Sequence, residues 1–103
     1  MERINKLKAF LLQNPTDDFL QHALALEYIK IGEEHQAKDL FIKILNHNPN
    51  YIGSYYHLAK LLERVNENQA AIEFYEKGMA IAKLLKDNHS YNELQAAYED
   101  LIY

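Results

Sequence analysis

EYIKIGEEHQAKDLFIKIL, the stretch from Glu27 to Leu45, has a helical pattern of apolar residues that is interrupted once, at Gly32. Tyr28 and Ile31 close one apolar face before the glycine. A second apolar face opens after it and consists of Ala37, Leu40, Phe41, Ile44 and Leu45. Because glycine readily adopts the left-handed conformation that ends many helices, the stretch predicts two helices joined at Gly32 as an antiparallel hairpin.

The hairpin pattern recurs along the chain. Two Asn-Pro pairs end at Pro15 and Pro49, which lie 34 residues apart (49 − 15), and the chain matches itself at this offset. Gly32 corresponds to Asn66, a residue that also tolerates a left-handed turn. The matching apolar positions are Leu24 with Leu58, Ala25 with Ala59, Tyr28 with Leu62, Ile31 with Val65, Ala37 with Ala71, Leu40 with Phe74, Phe41 with Tyr75, Leu45 with Met79 and, backwards, Leu7 with Phe41 and Leu11 with Leu45.

A helix-turn-helix unit with this period resembles the tetratricopeptide repeat family, and the resemblance extends over the whole chain. That family places small residues where helices pass closely; the corresponding residues here are Ala25, Ala37, Ala59, Ala71 and Gly78. One departure is Gln21, at a position where tryptophan is common, although Tyr55 fills that position in the second copy. The resemblance implies an all-α fold, an α-α superhelix built as a right-handed solenoid of helical hairpins.

The predicted organisation is a single domain over residues 1–103, with five helices in about two and a half repeats. It consists of an N-terminal capping helix (1–14), a first repeat (16–49), a second repeat (50–86) and a C-terminal capping helix (88–103). Polar outer faces on the two end helices are typical of repeat proteins, which need them to remain in solution.

Three helix ends are predicted from local signals. Thr16 is expected to cap the first helix of the first repeat. Ser90 and Glu93 have the spacing of a capping box, which predicts the start of the last helix after a turn. Lys83 replaces the proline that closes the first repeat, so the preceding helix is expected to continue to about Lys86.

Composition limits the possible classes of function. The chain has 103 residues, 49% hydrophobic and 25% charged, which is enough apolar material for one soluble core. It lacks cysteine, which excludes disulfides and thiolate metal sites. The longest apolar run near the start, Ala9 to Leu12, is too short for a signal or membrane segment, so we expect a cytoplasmic protein without membrane association. The formal charge of −4 disfavours binding to a nucleic-acid backbone.

No motif points to catalysis, so we expect no enzyme activity, cofactor or metal. The five histidines form neither H-E-x-x-H nor an i,i+4 pair. His22 and His57 remain a weak metal or acid–base alternative if adjacent helices bring them together, against the simpler interpretation as surface histidines. The eight tyrosines allow base stacking as another alternative, but core packing at helical spacing explains most of them.

The resemblance implies a function in protein recognition. In this family the first helix of each repeat lines a concave groove that holds peptide segments of protein partners. We therefore expect a non-enzymatic protein–protein interaction adaptor that binds a peptide or protein segment carrying an apolar anchor and one acidic group. The predicted groove residues are Phe19, His22, Leu26, Ile29, Lys30, Tyr56, His57, Lys60, Arg64 and Asn92.

One ligand class of the family is not predicted here. A subgroup clamps the terminal carboxylate of chaperone tails with lysines and asparagines, and His22 and Leu26 stand at two such positions in the first repeat. Lys60 and Arg64 remain candidates for binding a carboxylate in another way.

The alternative to a peptide-binding adaptor is a structural or self-associating module without a peptide ligand. Phe10, Leu12 and Ile102 are apolar residues on the end helices that a second copy would bury by stacking. The expected state is a monomer or a weak homodimer.

Overall fold

The structure is a computed structural model that describes residues 2–103, and these residues form helices without any strand. The helices are α1 (Glu2–Gln13), α2 (Asp18–Lys30), α3 (Glu34–His47), α4 (Gly53–Arg64), α5 (Asn68–Leu84) and α6 (Asn88–Ile102). The all-α prediction is confirmed, but the number of helices within residues 2–103 is six and not five. Two hairpins contribute two helices each, and both end segments form complete helices because each has its own apolar face.

The chain divides into two compact units, Met1–Asn48 and Pro49–Tyr103. We call them unit 1 and unit 2. In unit 1, α2 packs against both α1 and α3; in unit 2, α5 packs against both α4 and α6. The division falls at the second Asn-Pro pair, where the missing backbone N–H of proline prevents α3 from continuing.

Small residues allow the helices of each unit to approach closely, as the sequence predicts. Ala25 and Ala37 in unit 1, and Ala59 and Ala71 in unit 2, have no exposed surface. The helices approach even more closely at Gly78 on α5, because an added Cβ would lie 2.8 Å from Tyr55 Cβ and 3.0 Å from Leu94 Cδ1. The buried apolar side chains around these contacts include Ile4, Leu7, Leu24, Tyr28, Phe41 and Leu45 in unit 1, and Tyr55, Leu58, Leu62, Tyr75 and Leu94 in unit 2.

The two predicted hairpin turns have the predicted conformation. Gly32 has φ 80° and Asn66 has φ 64°. Each is followed by a backbone hydrogen bond that returns to the preceding helix, from Glu33 N to Tyr28 O at 2.9 Å and from Glu67 N to Leu62 O at 2.8 Å. These bonds satisfy carbonyl groups that a helix end would otherwise leave without a partner.

The end of α5 differs from the prediction. The helix ends at Leu84, and Lys86 has a left-handed φ of 60° instead of forming the last helical residue. Asp87 N donates to Ala82 O at 2.8 Å, which repeats the hydrogen bond of the other two turns. A lysine gives no sequence signal for this conformation, because residues other than glycine, asparagine and aspartate rarely adopt it.

Both predicted N-caps are wrong, and an aspartate takes each role. Asp17 and not Thr16 caps α2, since Asp17 Oδ1 accepts a hydrogen bond from Leu20 N at 2.9 Å. Asp87 caps α6, which begins at Asn88, two residues before Ser90. Asp87 accepts from Ser90 N at 3.0 Å and from Ser90 Oγ at 2.8 Å. A carboxylate competes well here because it also interacts with the positive end of the helix dipole.

The first helix of each repeat is tied to the proline turn that precedes it. Gln21 Nε2 donates to the carbonyl oxygen of Pro15 at 2.8 Å, and Tyr55 Oη donates to that of Pro49 at 2.7 Å. The two donors and the two acceptors are equivalent at the 34-residue offset (55 − 21 and 49 − 15). Gln21 is therefore buried despite its polarity, because it fulfils the same role as the tyrosine of the second repeat.

Candidate protein-binding surface

The predicted groove residues of unit 1 all lie on α2, where their spacing places them on one stripe. Phe19 begins the stripe and is 68% exposed. His22, Leu26 and Ile29 follow and are half-buried. The ring of His22 lies edge-on to that of Phe41 on α3, with 5.6 Å between the ring centroids. The stripe is thus an apolar surface with one imidazole, held in place by packing against α3.

Lys30, the cation of the stripe, is already engaged. Its Nζ lies 3.0 Å from Glu27 Oε2, and Arg3 Nε of α1 lies 3.4 Å from the same oxygen. The hydrogen bond from Lys30 lowers the pKa of Glu27 below its ordinary value, partly opposed by burial. Lys30 is consequently less available to an acidic ligand than the sequence suggests.

The predicted groove residues of unit 2 lie on α4 and α6, two helices that both pack against α5. Tyr56 and His57 are half-buried on α4, with ring centroids 5.6 Å apart and planes at 90°. Burial lowers the pKa of His57, while the negative charge of Glu93 on α6 acts to raise it. Burial thus favours the neutral form of His57, and the structure brings an α4 aromatic pair close to a carboxylate of α6.

The polar groove residues of unit 2 are exposed. Lys60 and Arg64 lie one and two turns beyond Tyr56 on α4, and Asn92 lies in the first half of α6. Lys60 Nζ is 3.9 Å from Glu63 Oε2, a distance at the limit of an ion pair. We call Tyr56, His57, Lys60, Arg64 and Asn92 the α4–α6 face. It combines half-buried aromatic rings with exposed cations and an amide.

A polar pair that was not predicted from the sequence, Tyr75 and Glu63, joins α5 to α4. Tyr75 of α5 has no exposed surface, and its hydroxyl donates a hydrogen bond to the carboxylate of Glu63. Burial, and then the hydrogen bond to Glu63, raise the pKa of Tyr75 well above its ordinary value. The equivalent residues of unit 1 are Phe41 and Ile29, an apolar pair. This simultaneous change from Phe and Ile to Tyr and Glu is the signal in the sequence that predicts the contact.

Two other sequence hypotheses concern metals and membranes. Among residues 2–103, no group of three or more His, Cys, Asp or Glu side chains is arranged to hold a metal ion. The two histidines considered as a pair have other neighbours, Phe41 for His22 and Tyr56 for His57. Within the same residues, each helix is too short or too polar to span a bilayer.

The two hairpins with equivalent turns, proline anchors and small residues at a fixed offset define a helical-repeat protein. Comparison with protein-family models gives no match, and neither does comparison with curated proteins. Among solved structures, the crystal structure of a tetratricopeptide repeat domain protein from Salinibacter ruber is 35% identical. That alignment covers 82% of this chain and 94% of the other, with a TM-score of 0.79. A solution NMR structure of such a domain protein from the same organism is 36% identical over 84% and 88% of the two chains, with a TM-score of 0.81.

A third similar structure shares the fold at lower identity. The TPR2B domain of yeast Sti1, solved in a complex with pHsp70, is 17% identical and covers 95% of this chain and 78% of the other, with a TM-score of 0.88. The identity to the Salinibacter ruber structures over most of both chains shows that this chain belongs to the tetratricopeptide repeat family. The resemblance seen in the sequence is confirmed, and membership identifies the chain as a repeat module of the protein-interaction type.

Proposed function

We propose that this chain is a non-enzymatic adaptor that binds a peptide or protein segment, with the α4–α6 face as its main contact surface. The observation that carries the proposal is the position of half-buried Tyr56 and His57 next to exposed Lys60 and Arg64 on one helix. Tyrosine and arginine are over-represented among residues that dominate binding energy, since they combine a large contact area with a polar group. The stripe on α2, from Phe19 to Lys30, is proposed as a second contact surface.

The face suggests what the bound segment contains. Tyr56 and His57 suit an apolar side chain, because burial favours the uncharged form of His57. Lys60 and Arg64 suit an acidic group and lie four and eight residues from Tyr56, which corresponds to about 6 and 12 Å along the helix axis. An extended peptide advances about 3.3 Å per residue, so the acidic residue should lie about two to four positions from the apolar anchor.

The comparisons support a peptide or protein as the ligand class. The yeast Sti1 domain was solved with pHsp70, and its fold matches nearly the whole of this chain. Because that domain is only 17% identical to this chain, its partner is not assigned to this chain. The ligand proposed here is defined by its chemistry, an apolar anchor with a nearby carboxylate.

A displayed random-peptide library, selected on the immobilised protein, tests the proposal directly. Selected peptides should share an apolar residue and an acidic residue at the spacing given above. Isothermal titration calorimetry should then show that Tyr56→Ala or Arg64→Glu weakens binding about tenfold or more, since removal of a central contact typically costs over about 1.4 kcal/mol. Lys77→Glu is the matched control, because Lys77 is an exposed cation on α5 outside the face.

Two results would contradict the proposal. One is a selection that enriches no peptide, and the other is a set of peptides that bind wild type, Tyr56→Ala and Arg64→Glu equally well. Circular dichroism and thermal melts of each variant establish that a loss of binding does not come from unfolding. In either contradictory case, the structural or self-associating module becomes the better description.

A further inference from the structure

Unit 1 has an open apolar groove that the proposed function does not use. It has a volume of about 630 Å³ and is lined by residues of α1, the turn after α1, α2 and α3. Its apolar lining consists of Ala9, Leu11, Leu12, Pro15 and Leu40. Leu12 is 84% exposed, although leucine is among the residues most often buried. Contiguous apolar side chains with polar ones around them, here Lys8, Gln21 and Lys43, are typical of an interaction site.

The groove is also positively charged. Lys8 and Lys43 line it, and neither forms an ion pair with residues 2–103. Lys8 Nζ lies 5.9 Å from the centroid of the Tyr28 ring. The helix α1 has three basic residues and one acidic residue, a formal charge of +2 in a chain whose net charge is −4. The groove therefore favours an occupant with apolar side chains next to carboxylates.

The end of α6 has this composition. The helix has three acidic residues, Glu93, Glu99 and Asp100, and no lysine or arginine, a formal charge of −3. The apolar side chains that follow the last two carboxylates are exposed, Ile102 to 38% and Tyr103 to 95%. Its charge and its exposed apolar side chains are thus complementary to those of the groove.

We infer that the groove of unit 1 binds residues 99–103 of a second copy of this chain. Leu12 and Leu40 contact Ile102 and Tyr103 of the second copy, while Lys8 and Lys43 face its Glu99 and Asp100. The two surfaces are different parts of the molecule, so the contact is head to tail and each copy retains one unoccupied groove or one unoccupied α6 end. The surface involved is small, which makes the association weak and dependent on concentration.

Sedimentation velocity of wild type from about 10 μM to about 1 mM measures the association, in the range of weak complexes. The average mass should rise with concentration, and it should fall when salt is added, because exposed charge pairs are screened. Lys43→Glu and Asp100→Lys should each weaken association about tenfold or more. The double variant Lys43→Glu with Asp100→Lys should restore it, since the charges are exchanged and remain complementary. Lys77→Glu, outside both surfaces, is the control.

An equimolar mixture of the two single variants is an independent test. The α6 end of the Lys43→Glu chain keeps Asp100, and the groove of the Asp100→Lys chain keeps Lys43, so the mixture should associate more strongly than either variant alone. Folding is not expected to interfere, because both residues are exposed and lysine near a helix C-terminus is favourable. A wild type that stays monomeric up to 1 mM, or a double variant no better than the single variants, overturns the inference. Neither result bears on peptide binding by the α4–α6 face.

Discussion

The hydrogen bond from Tyr75 on α5 to Glu63 on α4 lends itself to a double-mutant cycle, because unit 1 provides the apolar replacement. At the equivalent positions unit 1 has Phe41 and Ile29. The cycle therefore compares wild type with Tyr75→Phe, Glu63→Ile and the combination of both. The combined variant gives unit 2 the residues that unit 1 has at the equivalent positions.

The structure predicts unequal effects for the two single changes. Glu63→Ile leaves the hydroxyl of Tyr75 without a partner in a position with no exposed surface, which costs about 1–3 kcal/mol. Tyr75→Phe costs less, about 0.5–1.5 kcal/mol, because the side chain of Glu63 is 24% exposed and can turn to water. In the combined variant no polar group is left unpaired, so we expect its stability to lie near that of wild type.

Urea unfolding followed by circular dichroism measures all four stabilities. The combined variant should be more stable than Glu63→Ile alone, although it carries one more substitution. The coupling between the two sites should amount to about 1 kcal/mol or more, above the roughly 0.5 kcal/mol expected for independent sites. A combined variant whose loss equals the sum of the two single losses would refute the reasoning, and so would a Glu63→Ile variant as stable as wild type.

Three further predictions concern single sites in unit 2. Gly78→Ala should destabilise the protein by about 1–3 kcal/mol in urea unfolding. The new methyl group would lie 2.8 Å from Tyr55 Cβ, which outweighs the gain of about 1 kcal/mol from better helix propensity; an unchanged midpoint contradicts the close contact. Burial lowers the pKa of His57, so the unfolded chain binds the proton more readily, and stability should fall as pH decreases below about 6.5. His57→Gln should remove that part of the slope. The hydrogen bonds from Ser90 lower the pKa of Asp87, so its contribution is present above pH 4 and is lost as the carboxyl becomes protonated at lower pH. Asp87→Asn should reduce this acid-dependent loss, which thermal melts between pH 2 and pH 7 would detect.

The parts of the fold that depend on a single residue type could be predicted from the sequence. Gly32 and Asn66 indicate left-handed turns because few other residues adopt that conformation, and both have it. Lys86 adopts it as well, without any such signal. Its conformation accompanies two hydrogen bonds of the next residue, Asp87, whose N–H donates to Ala82 O and whose side chain caps α6.

The helix starts show a second limit of prediction from the sequence. Thr16 and Ser90 are acceptable caps by residue type, yet each has an aspartate within three residues that forms the actual cap. Residue type alone does not choose between neighbouring cap residues. The outcome depends on where the first packed turn of the helix falls, and thus on contacts with other helices.

The sequence predicts which residues of the candidate site share one side of a helix. It does not predict which residues of different helices contact each other. Helical periodicity places Tyr56, His57, Lys60 and Arg64 on one side of α4, because that placement requires the helix alone. The influence of Glu93 on His57 depends on how α4 and α6 pack against α5, which the spacing within one helix does not give. The ion pair between Arg3 of α1 and Glu27 of α2 could not be predicted from the spacing for the same reason.

The hydrogen bonds that join Gln21 to Pro15 and Tyr55 to Pro49 have a consequence for the order of folding events. Each closes a loop between residues six positions apart. Loops of about ten residues close in roughly 10–100 ns, faster than helices pack. The main helix packings within each unit also join helices that are consecutive in the sequence, which gives a low contact order. Such topologies fold in microseconds to milliseconds, so the proline turns can form first and bring consecutive helices together while distant parts of the chain are still unfolded.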